Sequence, residues 1–482
     1  MKLIKNYIYN LFFQFLNVVL AIVTAPYIAR VIGSKGIGIQ SFTDSILQYF
    51  IIAGTLAIPL CYGSRTIAYN ASDPEAAGKT FFEIFSLKII TITISSLIFL
   101  AFVYYTQKEY FFIFLIQAIG LITAAIDISW FFTGMENFRL TITANVLTRV
   151  IGVIGIFTWV KNEADVWKYI FILVAVQLLG QIFLWFHLPK YVSFKNIKMP
   201  EIKKHLMPVL SLFLPQVIIQ VYMVMDRTLL GSLADVSQLG FYDVSIKLIR
   251  MSLTVITSMG VVMLPRIAGI FASGDMDTVR DYISRSFNVG SYLAFPLAFG
   301  IAAGAGSFVP WFYGAKFTPS ILLLAVISPM IIILAWSNVT AVQYLLPLKR
   351  EREFTVAVSI GAVSSLILNL LLIPVLKALG AAITIVTAES IVTFILFIFV
   401  RKEIPLIPLF RNMWKYLASA IIMASAIYGI GLLLGPKPYT TILQALSGMA
   451  VYAGSQALLK SEANAFLFEK AINLVKSVAG KS

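Results

Sequence analysis

Long apolar stretches, each near the length that a helix needs to cross a lipid bilayer, recur along the whole chain. A transmembrane helix takes about 20 predominantly apolar residues. Candidate spans have these limits: 8–32, 37–60, 80–105, 110–133, 140–160, 167–188, 205–231, 239–265, 284–305, 318–346, 354–376, 379–400, 413–434 and 439–459. The sequence therefore predicts an all-α integral membrane protein with about 14 transmembrane helices.

Composition supports this class and excludes others. The chain has 482 residues, of which 59% are hydrophobic and only 12% charged, far from the balance of a soluble globular protein. One Cys and two His leave too few ligands for a His/Cys metal site, so we predict neither a metal nor another cofactor. Most of the basic residues lie in short loops between apolar stretches instead of a soluble basic module, which predicts no nucleic-acid partner.

The basic residues also predict how the chain is oriented. Of the 37 Lys and Arg residues, 24 lie in loops on the side of the N-terminus, 7 in loops on the opposite side and 6 within the spans. Cytoplasmic loops of membrane proteins carry the excess of Lys and Arg. The distribution predicts a multi-pass protein of the cytoplasmic membrane with both termini in the cytoplasm, and the bias would be lost with an odd number of spans.

Two segments of the chain are built alike. In residues 26–38 and again in residues 226–242, an Arg precedes a Gly by about one helical turn, a short turn follows, and a second Gly opens the next helix. Six predicted spans separate the copies, so the two halves would run in the same direction through the membrane. We predict an N-terminal lobe over 1–196, a C-terminal lobe over 197–402, and helices 13 and 14 with a cytoplasmic tail over 403–482.

Six basic residues lie inside the apolar spans. Such a charge costs about 2.5–3.5 kcal/mol on insertion scales, and it usually lines an internal cavity or pathway. Arg and Lys in a wet cavity bind phosphate oxygens by charge-assisted hydrogen bonds, which favours an anionic cargo. The predicted substrate-binding residues are Arg30, Lys88, Arg149, Arg227, Lys247 and Arg250. The alternative for each is a side chain that reaches the interface or pairs with an acid, as the spacing of Asp243 and Lys247 allows.

Acidic residues inside the spans suggest a site for a coupling ion. Alternating access driven by an ion gradient needs a group whose charge state differs between conformations. Asp44, Asp243 and Glu389 are the candidates. The alternative for each of them is a buried partner for a basic residue.

Three segments resemble a known family. Residues 127–138, DISWFFTGMENF, are similar to the D-x-S-W-F-F-x-G-x-E-x-F segment of Wzx-type polysaccharide flippases, members of the multidrug/oligosaccharidyl-lipid/polysaccharide exporter superfamily. Residues 62–68 resemble the Y-G-x-R-x-I-A segment of the same family, and residues 226–242 its D-R-x-x-x-G…G-Y-Y pattern, with Phe241 in place of the first Tyr. The motif residues are Asp127, Trp130, Gly134, Glu136 and Arg65.

The resemblance implies a fold and a function. The fold would have two pseudo-symmetric six-helix lobes around a central cavity, plus two C-terminal helices. The function would be that of a flippase, not an enzyme, which moves an undecaprenyl-diphosphate-linked oligosaccharide repeat unit across the cytoplasmic membrane by alternating access, for polysaccharide (O-antigen or capsule) biosynthesis. Its partners would be that lipid-linked oligosaccharide, membrane lipids, and a polysaccharide polymerase and glycosyltransferases.

Two other functions stay open at this point. A MATE-like multidrug exporter would share the superfamily, but the excess of basic intramembrane residues counts against a cationic cargo. A membrane polysaccharide polymerase or glycosyltransferase would need a substantial external loop or soluble domain for its catalytic groups, and the predicted external loops are short.

Overall fold

The chain is helical throughout the part that the structure describes. The computed structural model describes residues 2–192 and 201–465, and every regular element in these two ranges is a helix. The all-α prediction is thereby confirmed. The chain divides into two compact units, Met1–Gly240 and Phe241–Ser482.

The first unit is built from long helices joined by short turns. In its described residues the α-helices are α1 (Lys2–Thr55), α2 (Gly63–Tyr69), α3 (Pro74–Thr106), α4 (Phe111–Gln117), α5 (Ile119–Ile126), α6 (Ser129–Gly134), α7 (Phe138–Trp159), α8 (Val166–His187) and α9 (Lys203–Leu233). A π-helical turn, Ile58–Tyr62, joins α1 to α2. The helix α10 (Val236–Ala272) begins in this unit and continues into the second.

The second unit has the same kind of construction. Its further α-helices are α11 (Met276–Phe312), α12 (Pro319–Ile327), α13 (Met330–Asn338), α14 (Glu351–Leu376), α15 (Ala378–Val400), α16 (Leu406–Phe410), α17 (Met413–Leu434) and α18 (Pro438–Leu458). A π-helical segment, Val339–Leu345, extends α13. Because α4 to α6 and α12 to α13 are short helices in series, each series forms one broken span.

The apolar helices identify a multi-pass membrane protein. Among the described residues, ten helical segments are long and apolar enough to cross a bilayer, and a bent pair within α9 adds an eleventh when it is taken as one span. The first two predicted spans belong to one element, α1, and this accounts for part of the lower number. The helices α10 and α18, at the eighth and fourteenth predicted spans, are not among the ten. The count of fourteen stays a prediction.

Glycines determine where α1 breaks and how closely it approaches α10. Gly33 has φ +69°, a left-handed conformation that favours glycine, and it breaks α1 at the turn predicted between the first two spans. Beyond the break, a Cβ added at Gly38 would lie 1.7 Å from the backbone oxygen of Val236, and one added at Gly240 would lie 1.9 Å from that of Ser34. The second half of α1 and the start of α10 therefore meet backbone to backbone.

A local arrangement recurs in both units. Glu136 and Lys349 have left-handed φ values of 54° and 60°, and each precedes the N-cap of a long helix, α7 or α14. The Asn137 N-cap donates to Tyr191 Oη at 2.7 Å, 54 residues later. The Arg350 N-cap donates to a Glu403 carboxylate oxygen at 2.6 Å, 53 residues later. The two units thus share this local arrangement, and the predicted repeat of residues 26–38 and 226–242 stays a prediction.

The predicted domain limits stay predictions. The boundary at 196/197 lies in residues 193–200, outside the described residues, and the division observed here falls at Gly240. The predicted boundary at 402/403 lies just before Pro405, in the connection between α15 and α16.

Candidate functional site

The six basic residues predicted to line a cavity have two kinds of surroundings. One of them, Lys88, is fully buried in the first unit. The other five have access to the surface: Arg30, Arg149 and Lys247 are exposed, and Arg227 and Arg250 are intermediate. An exposed cation in the middle of an apolar helix is costly in contact with hydrocarbon, so these five side chains need water or an anionic partner.

Of these five residues, Arg149 is the clearest example of a cation within an apolar helix. It is the twelfth of the 22 residues of α7, and its neighbours Leu147, Val150 and Ile151 are exposed as well. No ion pair joins Arg149 to another residue in the described ranges. The structure therefore presents a guanidinium group near the middle of a membrane-spanning helix.

Lys88 has a different environment. Its ammonium group donates a hydrogen bond to the backbone oxygen of Asp127 and lies 5.4 Å from the centre of the Phe85 ring. The same oxygen accepts a hydrogen bond from Trp130 Nε1 at 3.0 Å. These contacts give the buried ammonium group of Lys88 a structural role. Its predicted contact with cargo stays untested.

The contacts of Lys88 belong to a helix break inside the membrane. Between α5 and α6, Asp127 is extended (φ −63°, ψ 115°), and the break frees backbone groups that must find partners in the absence of water. Trp185 Nε1 donates to the backbone oxygen of Ile126 at 2.7 Å, and Gln181 Oε1 accepts from the backbone N–H of Ile128 at 3.3 Å. Side chains from α3, α6 and α8 thus complete the hydrogen bonding of the break.

The motif residues around this break pack closely. Trp130 is buried and stacks on Phe81, with ring centres 5.5 Å apart. A Cβ added at Gly134 would lie 2.6 Å from the backbone oxygen of Ser64, and so α6 can approach α2 this closely only with glycine at that position. The remaining two motif residues, Arg65 and Glu136, are exposed at the ends of the same helices. The segment is therefore a structural unit in which α2, α3 and α6 meet.

A polar seam runs between α1 and α9. Thr228 Oγ1 donates to Ser45 Oγ at 2.9 Å. Asp226, on the same helix α9 as Thr228, is buried. Asp44, which precedes Ser45 on α1, accepts a hydrogen bond from Gln48 at 3.3 Å. The structure thus places Asp44 beside a buried polar contact of two helices, and its role in ion coupling stays a prediction.

In the second unit, Asp243 and Lys247 form the predicted pair. Lys247 Nζ lies 2.5 Å from Asp243 Oδ2, and the Asp243 side chain is completely buried while that of Lys247 is 49% exposed. This is the arrangement given above as the alternative, in which the basic residue pairs with an acid. Glu389 is buried on α15, which packs against α12, α13 and α14. The structure does not test either acid as a coupling site.

Sequence reasoning missed a cluster of charged residues in the first unit, which we call the Glu83 cluster. Its members are Tyr62, Lys79, Glu83, Glu201, Lys204 and His205. Glu83 Oε2 accepts from Lys204 Nζ at 2.6 Å and from the His205 Nε2 at 2.9 Å. The other imidazole nitrogen, Nδ1, lies 2.6 Å from Tyr62 Oη. A signal was present, since Glu83 is an acid within the third predicted span, but its partner lies 122 residues away.

A second charged cluster joins the ends of several helices in the second unit. Glu403 Oε2 accepts from Tyr344 Oη at 2.5 Å and from Arg350 Nη1 at 2.6 Å, and Arg350 also pairs with Glu353. Burial lowers the pKa of Arg350, but Glu353 and Glu403 more than offset this and raise it overall. Arg280 Nε donates to the backbone oxygen of Glu403 at 2.8 Å. The cluster holds α11, α14 and the end of α15 together.

No metal site is seen within the described residues, where no group of three or more His, Cys, Asp or Glu side chains is placed to hold an ion.

These features define a multi-pass membrane protein with broken spans, buried polar seams and cations within its membrane-spanning helices. The chain belongs to the polysaccharide biosynthesis protein family, whose model matches residues 3–271. This match confirms the resemblance to Wzx-type flippases noted for residues 127–138.

Individual relatives agree with this family. The chain is 23% identical over 412 residues to a protein of Escherichia coli (strain K12) named "Putative O-antigen transporter", which covers 84% of this chain and 98% of the relative. Among solved structures, the lipid II flippase MurJ in an inward closed conformation has a TM-score of 0.73 at 15% identity, over 95% of this chain and 98% of that one. An inward-facing multidrug resistance MATE transporter of the MOP superfamily has a TM-score of 0.63 at 13% identity, over 77% of this chain and 93% of that one. At these identities the structural matches show a shared fold.

Proposed function

We propose that the protein is a flippase for a lipid-linked oligosaccharide. Its cargo would be a repeat unit joined to a polyprenyl diphosphate such as undecaprenyl diphosphate, and it would move from the cytoplasmic to the outer leaflet of the cytoplasmic membrane by alternating access. The family membership and the relative named as an O-antigen transporter support this class of cargo. Glycosyltransferases would supply this lipid-linked oligosaccharide and a polysaccharide polymerase would consume it. We propose both as partners in the pathway.

The observation that carries the proposal is the exposed guanidinium of Arg149 near the middle of α7. A diphosphate is a poor guest for hydrocarbon, and a planar guanidinium binds its oxygens in a fixed bidentate geometry. Arg30, Arg227, Lys247 and Arg250 also keep access to the surface, and we propose that they hold the same group at other stages of transport.

Transport of an anionic lipid is favoured over the two alternatives. The MATE transporter above shares the fold, but exposed cations within the spans suit an anionic cargo better than a cationic drug. The relatives are named as transporters and flippases, which supports transport over a polymerase or glycosyltransferase.

Replacing Arg149 by Ala tests the proposal. We expect a fall in surface polysaccharide of about 10-fold or more at equal protein level, because a lost charge-assisted hydrogen bond of about 1.5–3 kcal/mol corresponds to at least that factor. Arg149→Lys keeps the charge but not the bidentate geometry, and it should retain an intermediate amount.

Arg139→Ala is the matched control, because Arg139 is exposed on the same helix but lies at its first turn. It should leave surface polysaccharide unchanged. Full activity of Arg149→Ala, or an equal loss in both variants, contradicts a role of the mid-helix guanidinium in cargo binding.

A further inference from the structure

The Glu83 cluster joins α9 to α3 and to the turn before α2. Glu83 and His205 are 1% and 4% exposed, whereas Lys79, Glu201 and Lys204 lie at the edge of the cluster with exposed or half-exposed side chains. Buried ionisable groups in this arrangement are costly unless their charges are balanced. The charged and titratable groups that meet here are Tyr62 from the π-helical turn, Lys79 and Glu83 from α3, Glu201 from the residues before α9, and Lys204 and His205 from α9.

The contacts of the imidazole suit both of its protonation states. When His205 is neutral, Nε2–H donates to Glu83 and Tyr62 O–H donates to Nδ1. When it is charged, Nδ1–H donates instead to the phenol oxygen, because a tyrosine hydroxyl both donates and accepts. Burial raises the pKa of the Tyr62 phenol, so this group stays protonated at neutral pH. The imidazole can therefore take up a proton without losing either partner.

Glu83 presents an ionised acceptor to the imidazole. Its carboxylate lies 2.9 Å from Nε2, and protonation of the ring would add the attraction of opposite charges to a hydrogen bond that is already charge-assisted. Lys204 Nζ lies 2.6 Å from the same carboxylate oxygen and would repel an imidazolium, but the Lys204 side chain is 45% exposed and can turn toward water. The second oxygen, Oε1, forms no hydrogen bond with another residue in the described ranges, and Lys79 Nζ lies 3.9 Å from it. The carboxylate thus keeps one acceptor oxygen that no hydrogen bond in the described ranges fills.

We propose that Tyr62, Glu83 and His205 form a proton-binding site, and that uptake of a proton by His205 strengthens the contact between α9 and α3. This inference rests on the proposed function in one respect: in a flippase, the proton bound here would be the ion that biases one conformation of α9. The binding of the proton itself requires no transport.

Hydrogen exchange of the full-length protein in detergent tests this inference. The probe is the exchange of backbone amides in the first turns of α9, measured at about pH 5.5 and about pH 8 and corrected for the intrinsic effect of pH. In the wild type we expect exchange at the lower pH to be about 10-fold slower.

His205→Gln is the variant that distinguishes the effect of the protonated imidazole from that of the neutral one. The Gln amide can donate to Glu83 and accept from Tyr62 as the neutral imidazole does, but it cannot take up a proton. Exchange in this variant should match the wild type at the higher pH and stay at that rate at the lower pH. The chain has two histidines, so His187→Gln is the matched control and should keep the response of the wild type.

Glu83→Gln provides a second variant in case His205→Gln does not fold. It keeps an acceptor but removes the charge, and it should flatten the response to pH. An unchanged response in His205→Gln or Glu83→Gln, or none in the wild type, overturns the inference. Because the readout does not involve transport, such a result leaves the proposed flippase activity standing.

Discussion

At the scale of single residues, glycines and buried polar groups determine how closely the helices approach. Gly38 and Gly240 allow two backbones to meet, and Gly134 allows α6 to reach α2. Tight interfaces between small residues are common in membranes, where packing and hydrogen bonds replace the hydrophobic effect as the force between helices. The close contacts of the first unit thus depend on the absence of side chains at particular positions.

Gly38→Ala should destabilise the protein. The new Cβ would lie 1.7 Å from a backbone oxygen, which cannot rotate away, and overpacking of this kind costs about 1–3 kcal/mol. Thermal unfolding of the purified protein measures the effect. Gly290→Ala is the control, because Gly290 is also helical but has nothing within 4 Å of its Cβ position, and its melting temperature should stay the same or rise. Equal stability of the two variants would contradict the backbone contact.

At the scale of elements, the broken span formed by α4 to α6 offers one reason for a charged residue in an apolar helix. Lys88 and Trp130 both donate to the oxygen that the break at Asp127 exposes. The sequence showed that Lys88 lies deep in an apolar span, and from this we predicted a cavity. A helix break on another element provides a second explanation, and it depends on contacts that the sequence does not specify.

Lys88→Met decides between these two explanations. If Lys88 serves the break, removing its ammonium should lower the free energy of unfolding by about 1–3 kcal/mol, the cost of a lost buried hydrogen bond. Lys108→Met, a change at an exposed position just after α3, should leave the stability unaltered. The measurement is thermal unfolding together with surface polysaccharide. A stable Lys88→Met protein that no longer exports would instead restore the predicted role in cargo binding.

At the scale of the whole molecule, the orientation in the membrane follows from the basic residues. The excess of Lys and Arg on the side of the N-terminus predicts that both termini are cytoplasmic. This side includes Lys402, which follows α15, whereas Lys161, between α7 and α8, is predicted to be external. Both residues are exposed.

Single cysteines at these two positions test the orientation in intact cells. In a Cys61→Ser background, which removes the one native cysteine, a membrane-impermeant maleimide should label Lys161→Cys and spare Lys402→Cys until the cells are permeabilised. The opposite pattern reverses the predicted topology, and labelling of both sites in intact cells contradicts a fixed one.

The sequence by itself determined the class of protein, its helical character and its family, and it predicts the number of spans and the orientation. The length of an apolar stretch and the charges of its flanking loops act through the bilayer, which every helix meets independently of its neighbours. The break at Gly33 and the pair of Asp243 and Lys247 could also be predicted, because each depends on residues within one or two helical turns.

Only the tertiary structure decided which polar groups meet. Glu83 and His205 are 122 residues apart in the chain, and Tyr62 and His205 are 143 apart, yet the three side chains form one buried cluster. Lys88 likewise finds its partner on a helix break that begins 39 residues away. Such contacts depend on how each helix is rotated and placed against its neighbours. In a membrane, apolar surfaces fit both lipid and protein, so the pattern of apolar residues alone does not fix that rotation.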